Sequence, residues 1–301
     1  MVKTLAIFDS RTKWVRPCIQ AALLRGWQAR QIQNLGDVLE SKIEFALLFP
    51  HAHPARLLSD QKLAQLLLGR VQLITDYNQI MLYEDKRGQI KQWGKWMPRT
   101  WVCEHLEAAR EVIEFIHEYP LISKADVGAS SYNVRLLRDE TAAINHVDEI
   151  FHKGIRVEHC DSLGTHSLQK DYVILQEFIP HEVTYRVNVI GKQRAIFYRY
   201  CYPDRPMAQT GNVKPVYALT EELESLLGWA ERLLLDVQSQ WVALDVLKSE
   251  QGWKLLETSL RWPWPSPGDC DNGVFFPGGK KWSQMWDVLI DELEVGAWGI
   301  I

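Results

Sequence analysis

One acid, Asp245, interrupts the apolar run Val242-Ala243-Leu244-Asp245-Val246-Leu247, and a second, Glu257, ends the run Trp253-Lys254-Leu255-Leu256-Glu257 a few residues later. Both runs have the length and composition of β-strands, and the turn residues between them predict an antiparallel pair that holds the two carboxylates side by side. A carboxylate among apolar strand residues is costly unless it is paired or binds a cation. Two converging carboxylates with an oxygen neighbour such as Ser259 suit Mg²⁺, which prefers hard oxygen ligands. The structural alternative is one acid capping a loop and the other engaged in a salt bridge.

The rest of the chain divides by pattern. Strand Thr4–Phe8, a helix up to Gly26, a strand near residues 28–32, strand Phe45–Phe49, helix Pro54–Leu68 and strand Val71–Thr75 alternate, which predicts an open parallel sheet with flanking helices. No GxGxxG follows the opening strand, so a nicotinamide-binding lobe is disfavoured. A helix over Tyr77–Trp93 and a turn at Met97-Pro98-Arg99-Thr100 lead into helix Glu104–Tyr119, strand Pro120–Lys124, strand Asn133–Leu137, helix Asp139–Lys153 and an irregular stretch through Gln169. Strand Tyr172–Gln176 and the hairpin Val183–Ile190/Gln193–Tyr200, turning at Gly191-Lys192, follow. Helix Thr220–Leu235, the two acidic strands and a helix near Lys281–Leu293 complete the chain. The latter two-thirds therefore read as α+β, and the expected divisions fall at residues 1–100, 101–175 and 176–301.

Composition narrows the function. The chain has 301 residues, 47% apolar and 24% charged, with a net charge of -4, which fits a multi-lobed globular enzyme and gives no global footprint for nucleic acid. Its five cysteines lack CxxC spacing, no apolar run reaches bilayer length and the N-terminus lacks a signal-peptide pattern. The expected location is the cytoplasm, without a membrane partner. Thirteen tryptophans, with Trp262, Trp264, Trp282 and Trp286 crowded near the C-terminus, read chiefly as packing anchors. Stacking of Trp262 and Trp264 on a modified nucleic acid is the less favoured alternative.

Several further segments could carry chemistry. Lys124 ends a strand and precedes the small-residue loop Gly128-Ala129-Ser130-Ser131, whose amides and hydroxyls could cradle phosphates. An ordinary surface hairpin fits the same segment equally well. Gln176-Glu177-Phe178-Ile179 passes from a strand into a proline-containing connection, and Arg186 and Arg199 lie on the hairpin. His181 reads as structural.

Taken in order, these pieces resemble the ATP-grasp superfamily, in the amino-acid ligase branch of the ribosomal-protein glutamate ligase and, more distantly, D-alanine:D-alanine ligase. Asp85-Lys86 with Pro98 and Thr100 looks like the family's DK and P.T elements. The resemblance implies an ATP-grasp fold behind an N-terminal Rossmann-like lobe, with two α+β lobes clasping ATP. It also implies Lys86 and Lys124 on the ATP phosphates, Gly128, Ser130 and Ser131 in the phosphate loop, and Gln176, Glu177, Phe178 and Ile179 along the adenine hinge. Glu182 or Thr184 would lie near the ribose. Tyr185-Arg186-Val187-Asn188-Val189-Ile190-Gly191 is similar to the family's xRVxVIG strand, making Arg186, assisted by Arg199, a contact for the γ-phosphate or acyl phosphate. Asn212 would fall in the substrate loop, and Arg261 would meet a substrate carboxylate. Asp245 and Glu257 match the magnesium carboxylates. Where the family usually carries Glu-x-Asn, this chain has Glu257-Thr258-Ser259, so the third ligand would be a hydroxyl. The implied activity joins a carboxylate to an amine at the expense of ATP. A phosphotransferase and a non-catalytic nucleotide-binding protein are the rival readings.

Overall fold

The computed structural model describes residues 2–8, 12–32, 42–128, 133–158, 165–201, 213–260, 272–296 and 298. Ser130, Ser131, Asn212, Arg261, Trp262 and Trp264 lie outside them. The chain opens with β1 (Thr4–Phe8), α1 (Thr12–Leu24), β2 (Gln28–Gln31), β3 (Phe45–Leu48), α2 (Pro54–Leu67) and β4 (Gln72–Leu73). Their strands form a parallel sheet in the order β2-β1-β3-β4. The apolar runs Leu5–Phe8 and Phe45–Leu48 are buried throughout, as strands covered on both faces must be.

The interval expected to be one helix over Tyr77–Trp93 is two, α3 (Tyr77–Met81) and α4 (Lys86–Trp93). Glu84 takes a left-handed backbone conformation, φ 56°, which breaks the ladder between them. Asp85 then caps α4 by accepting the Gly88 amide at 2.9 Å.

The central sheet has the order β5-β10-β6-β7, from β5 (Thr100–Cys103), β6 (Leu121–Lys124), β7 (Val134–Leu137) and β10 (Val173–Glu177). Helices α5 (Leu106–Phe115) and α6 (Glu140–His152) pack on one face, over Cys103, Leu121, Leu137, Val173 and Leu175. Lys124 and Gln176 belong to the opposite face by strand alternation. The stretch expected to be irregular contains an antiparallel pair, β8 (Ile155–Glu158) with β9 (His166–Gln169). Alternation is too short in either strand to be read from the sequence.

The third sheet is antiparallel, in the order β13-β12-β11-β14-β15: β11 (Val183–Ile190), β12 (Gln193–Tyr200), β13 (Val213–Pro215), β14 (Trp241–Ser249) and β15 (Gly252–Ser259). Strand β16 (Phe275–Phe276) pairs with β12. Helix α7 (Glu221–Val237) covers one face through Leu226, Trp229, Ala230, Leu233 and Leu234, packed on Val187, Val189, Val242, Leu244, Val246 and Leu255. At one end of the other face, Trp241 stacks on Trp286 of α8 (Met285–Glu294) and meets Phe49 edge-on. That aromatic cluster joins the third sheet and α8 to the parallel sheet in one core. No helix among the described residues is long and apolar enough to cross a membrane.

His146 on α6 is buried, with Nε2 2.8 Å from Ser123 Oγ, and burial, aided by Arg135, lowers its pKa from 6.5 to about 4. The unfolded chain therefore binds a proton between those values that the folded chain refuses, so stability is lost as pH falls through that window. Urea unfolding is expected to show a contribution of about 1.4 kcal/mol per pH unit there, and His146→Gln, which retains a partner for Ser123, removes it.

Candidate active site

The open face of the third sheet carries the charges. Arg186 on β11 stands opposite Asp245 on β14, and Asp245 stands opposite Glu257 on β15, so the three form one row across three strands. Arg186 grips Asp245 in a two-point ion pair, Nε to Oδ1 at 2.6 Å and Nη2 to Oδ2 at 2.5 Å. Burial works against the guanidinium charge, but Asp245 outweighs it and holds the Arg186 pKa above its ordinary value. Thr184 and Arg199 form the neighbouring pair, with Arg199 Nε donating to Thr184 Oγ1 at 3.2 Å. Burial lowers the Arg199 pKa despite the attraction of Asp245. Ser259 lies two residues from Glu257, opposite Ala243.

A β-bulge makes this row. Trp253 and Leu255 belong to the core beneath α7, and plain alternation would send Glu257 there too. Register shifts by one residue, with Asp245 paired to Glu257 and Val246 to Leu255, so Leu256 is the extra residue. The shift turns Glu257 onto the face of Asp245.

Lys86 arrives from α4, with Nζ 3.5 Å from Glu257 Oε2. Its placement depends on Gln89, one turn along the helix. The Gln89 amide accepts the Thr258 N–H at 2.9 Å and donates to the Thr258 carbonyl at 3.3 Å, pairing with β15 as another strand would. β15 is the last strand of its sheet among the described residues. Gln79 on α3 reinforces the clamp by donating to the Val237 carbonyl at 3.0 Å. The other side of α4 meets the loop after β6. Lys86 Nζ donates to the carbonyls of Asp126 and Gly128 at 3.4 and 3.1 Å, Arg87 Nε pairs with Asp126 at 2.5 Å, and its guanidinium stacks 4.2 Å from the Tyr172 ring. Burial opposes the Lys86 charge, but Glu257, Glu84 and Asp126 outweigh it and raise its pKa.

Lys124 ends β6 on the same side. Burial lowers its pKa to about 8, partly offset by the fields of Glu257 and Asp245 and reinforced by that of Lys86. Lysines from two elements and carboxylates from two strands thus share one electrostatic site. Gly128 has φ +117°, and a Cβ there would lie 2.2 Å from Asn133 Nδ2, which is itself tied to the carbonyls of Val127 and Glu158.

Residues 176–182 are ordered by local bonds. Gln176 Nε2 donates to Thr100 Oγ1 at 2.8 Å, and the Glu177 carboxylate takes both the amide and Nε of Arg99 at 3.2 Å. Ile179 is buried, and its carbonyl lies 2.6 Å from His181 Nδ1, which fixes the proton on that nitrogen. Glu182 is exposed at the strand entry, where its carbonyl accepts the Cys201 amide at 2.7 Å. Phe178 packs 6.2 Å from the His181 ring. Gln79, Glu84, Gln89 and Arg87 were not among the sequence candidates. A helical register placing Gln89 three residues after Lys86 was the available signal, but a glutamine carries no mark of the strand edge it will cap.

Among the described residues no group of three or more His, Cys, Asp or Glu could hold a metal by itself. Asp245, Glu257 and Ser259 share one face of the sheet and carry hard oxygen atoms. That fits Mg²⁺, which commonly takes one or two carboxylates and completes its shell with water and phosphate.

No protein-family model matches the chain, and no curated protein matches it in sequence. Solved structures do match in fold. A RimK domain ATP-grasp protein from Sphaerobacter thermophilus aligns with a TM-score of 0.61 at 20% identity, over 97% of this chain and 99% of that one. A D-alanine–D-alanine ligase from Bacillus anthracis, complexed with ATP, aligns with a TM-score of 0.59 at 14% identity over 99% and 97%. A RiPP-associated ATP-grasp ligase from Chryseobacterium gregarium, in complex with ADP and a leader and core peptide, aligns with a TM-score of 0.64 at 12% identity over 98% and 97%. The fold is the ATP-grasp fold.

Replacing Gln89 by Leu leaves the Thr258 N–H and carbonyl without their partner and frees α4 from β15. The expected loss is about 1–3 kcal/mol of unfolding free energy by urea titration.

Proposed function

We propose that this chain is an ATP-dependent carboxylate–amine ligase that works through an acyl phosphate. The observation that carries the reading is the row Arg186–Asp245–Glu257, met by Lys86 at 3.5 Å from Glu257 and electrostatically coupled to Lys124. Such a site gathers positive charge around phosphates while keeping two carboxylates for a cation. The fold neighbours that carry ATP, or ADP with peptide, support a nucleotide and a peptide or amino-acid substrate.

ATP would lie against the hinge Gln176–Ile179, with Glu182 or Thr184 beside the ribose. Its phosphates would point to Lys86, Lys124 and the loop at Gly128, with Ser130 and Ser131 donating. Asp245, Glu257 and Ser259 are the residues that would hold a magnesium ion, which would supply neutralisation of phosphate charge. A substrate carboxylate oxygen attacks the γ-phosphorus, the bond to the bridging oxygen breaks, and ADP leaves. An amine then attacks the acyl carbon, loses a proton, and expels phosphate to leave an amide. Arg186, oriented by its two bonds to Asp245, is placed to stabilise the developing oxyanion, with Arg199 beside it. Asn212 and Arg261 are proposed substrate contacts.

The direct test incubates the protein with Mg·ATP, pools of amino acids and peptides, and hydroxylamine. ADP release with hydroxamate formation supports the ligase; a stable phosphorylated product, or no ADP release with any pool, overturns it. Asp245→Asn and Glu257→Gln are each expected to lower ADP release by about 10²–10³-fold in a coupled assay. Lys124→Met should separate binding from stability. Calorimetry is expected to show loss of ATP binding while the nucleotide-free Tm rises, because a buried, desolvated ammonium is removed.

A further inference from the structure

Glu84 sits where two independent observations meet. Its backbone is left-handed, φ 56°, a conformation unfavourable for a residue with a Cβ and retained where surrounding structure enforces it. Its carboxylate Oε2 accepts the Gly128 N–H at 2.7 Å. The same loop segment is held from its carbonyl side by Lys86 Nζ, bonded to Asp126 and Gly128. An anionic oxygen on a loop amide beside a lysine is the arrangement a phosphate oxygen would make there. Glu84 also contributes to the field that keeps Lys86 charged.

We infer that Glu84 is a built-in phosphate surrogate, which engages the Gly128 amide and is displaced when the phosphates of ATP arrive. This rests on the nucleotide-binding reading above. The bond between Glu84 and Gly128 must break before that amide can serve a phosphate, so the free protein is held in a state that competes with nucleotide.

The test measures Mg·ATP and adenosine binding by calorimetry on the full chain, for the wild type, Glu84→Gln and Glu84→Asp, with amide hydrogen exchange at Gly128. Glu84→Asp keeps the charge but shortens the reach to the amide. Both variants are expected to bind Mg·ATP about tenfold more tightly than wild type, the scale of one charge-assisted hydrogen bond. Adenosine affinity is expected to be equal in all three. Without nucleotide the Gly128 amide should exchange faster in both variants, and bound ATP should equalise protection.

Unchanged or weaker ATP binding in both variants overturns the inference, as does an equal gain for adenosine. A gain confined to Glu84→Gln reports a long-range charge effect and also overturns it. If the wild type binds no ATP, the nucleotide reading falls and this inference with it. If the wild type binds ATP and the variants gain nothing, this inference falls alone.

Discussion

The ion pair between Arg186 and Asp245 is the constraint around which the rest of the site is arranged. Both groups are largely buried on a sheet whose opposite face packs beneath α7. Removing one partner would leave the other charge uncompensated, so the pair adds to the register that the buried apolar face of β11 and β14 already imposes. Once that register is set, Phe197, Arg186 and Asp245 share a row, and the bulge at Leu256 brings Glu257 into it.

Helix α4 connects this row to the rest of the molecule. Gln89 binds it to the edge of β15, Trp93 sinks into the core under the third sheet, and Lys86 and Arg87 hold the loop after β6. A short helix thereby joins the two sheets across the site. A displacement of α4 would move a lysine, a sheet edge and a loop together, which couples loop position to the charge state around Glu257.

Lys124 shows the cost of preparing such a site. Its ammonium is desolvated, and the two nearby carboxylates do not fully compensate it. A polyanionic ligand would supply what the protein withholds. Stability is thus given up locally at Lys124, as the proposed nucleotide site would require.

The sequence by itself determined the longer strands and the acids they carry, but not the short pair β8/β9 or strands β13 and β16. The hairpin Val183–Ile190/Gln193–Tyr200 is legible because two long strand-forming runs flank Gly191-Lys192, and Gly191 supplies the positive φ, +55°, that a tight turn needs. Asp245 is legible because an acid inside an apolar strand is too costly to be incidental. Tertiary structure decided which face Glu257 takes, because the bulge at Leu256 reverses the parity that alternation predicts for Trp253, Leu255 and Glu257. It also decided where the helix between Tyr77 and Trp93 breaks. The break falls at Glu84, φ 56°, immediately before the Asp85 cap, and Glu84 there also accepts the Gly128 amide from a distant segment.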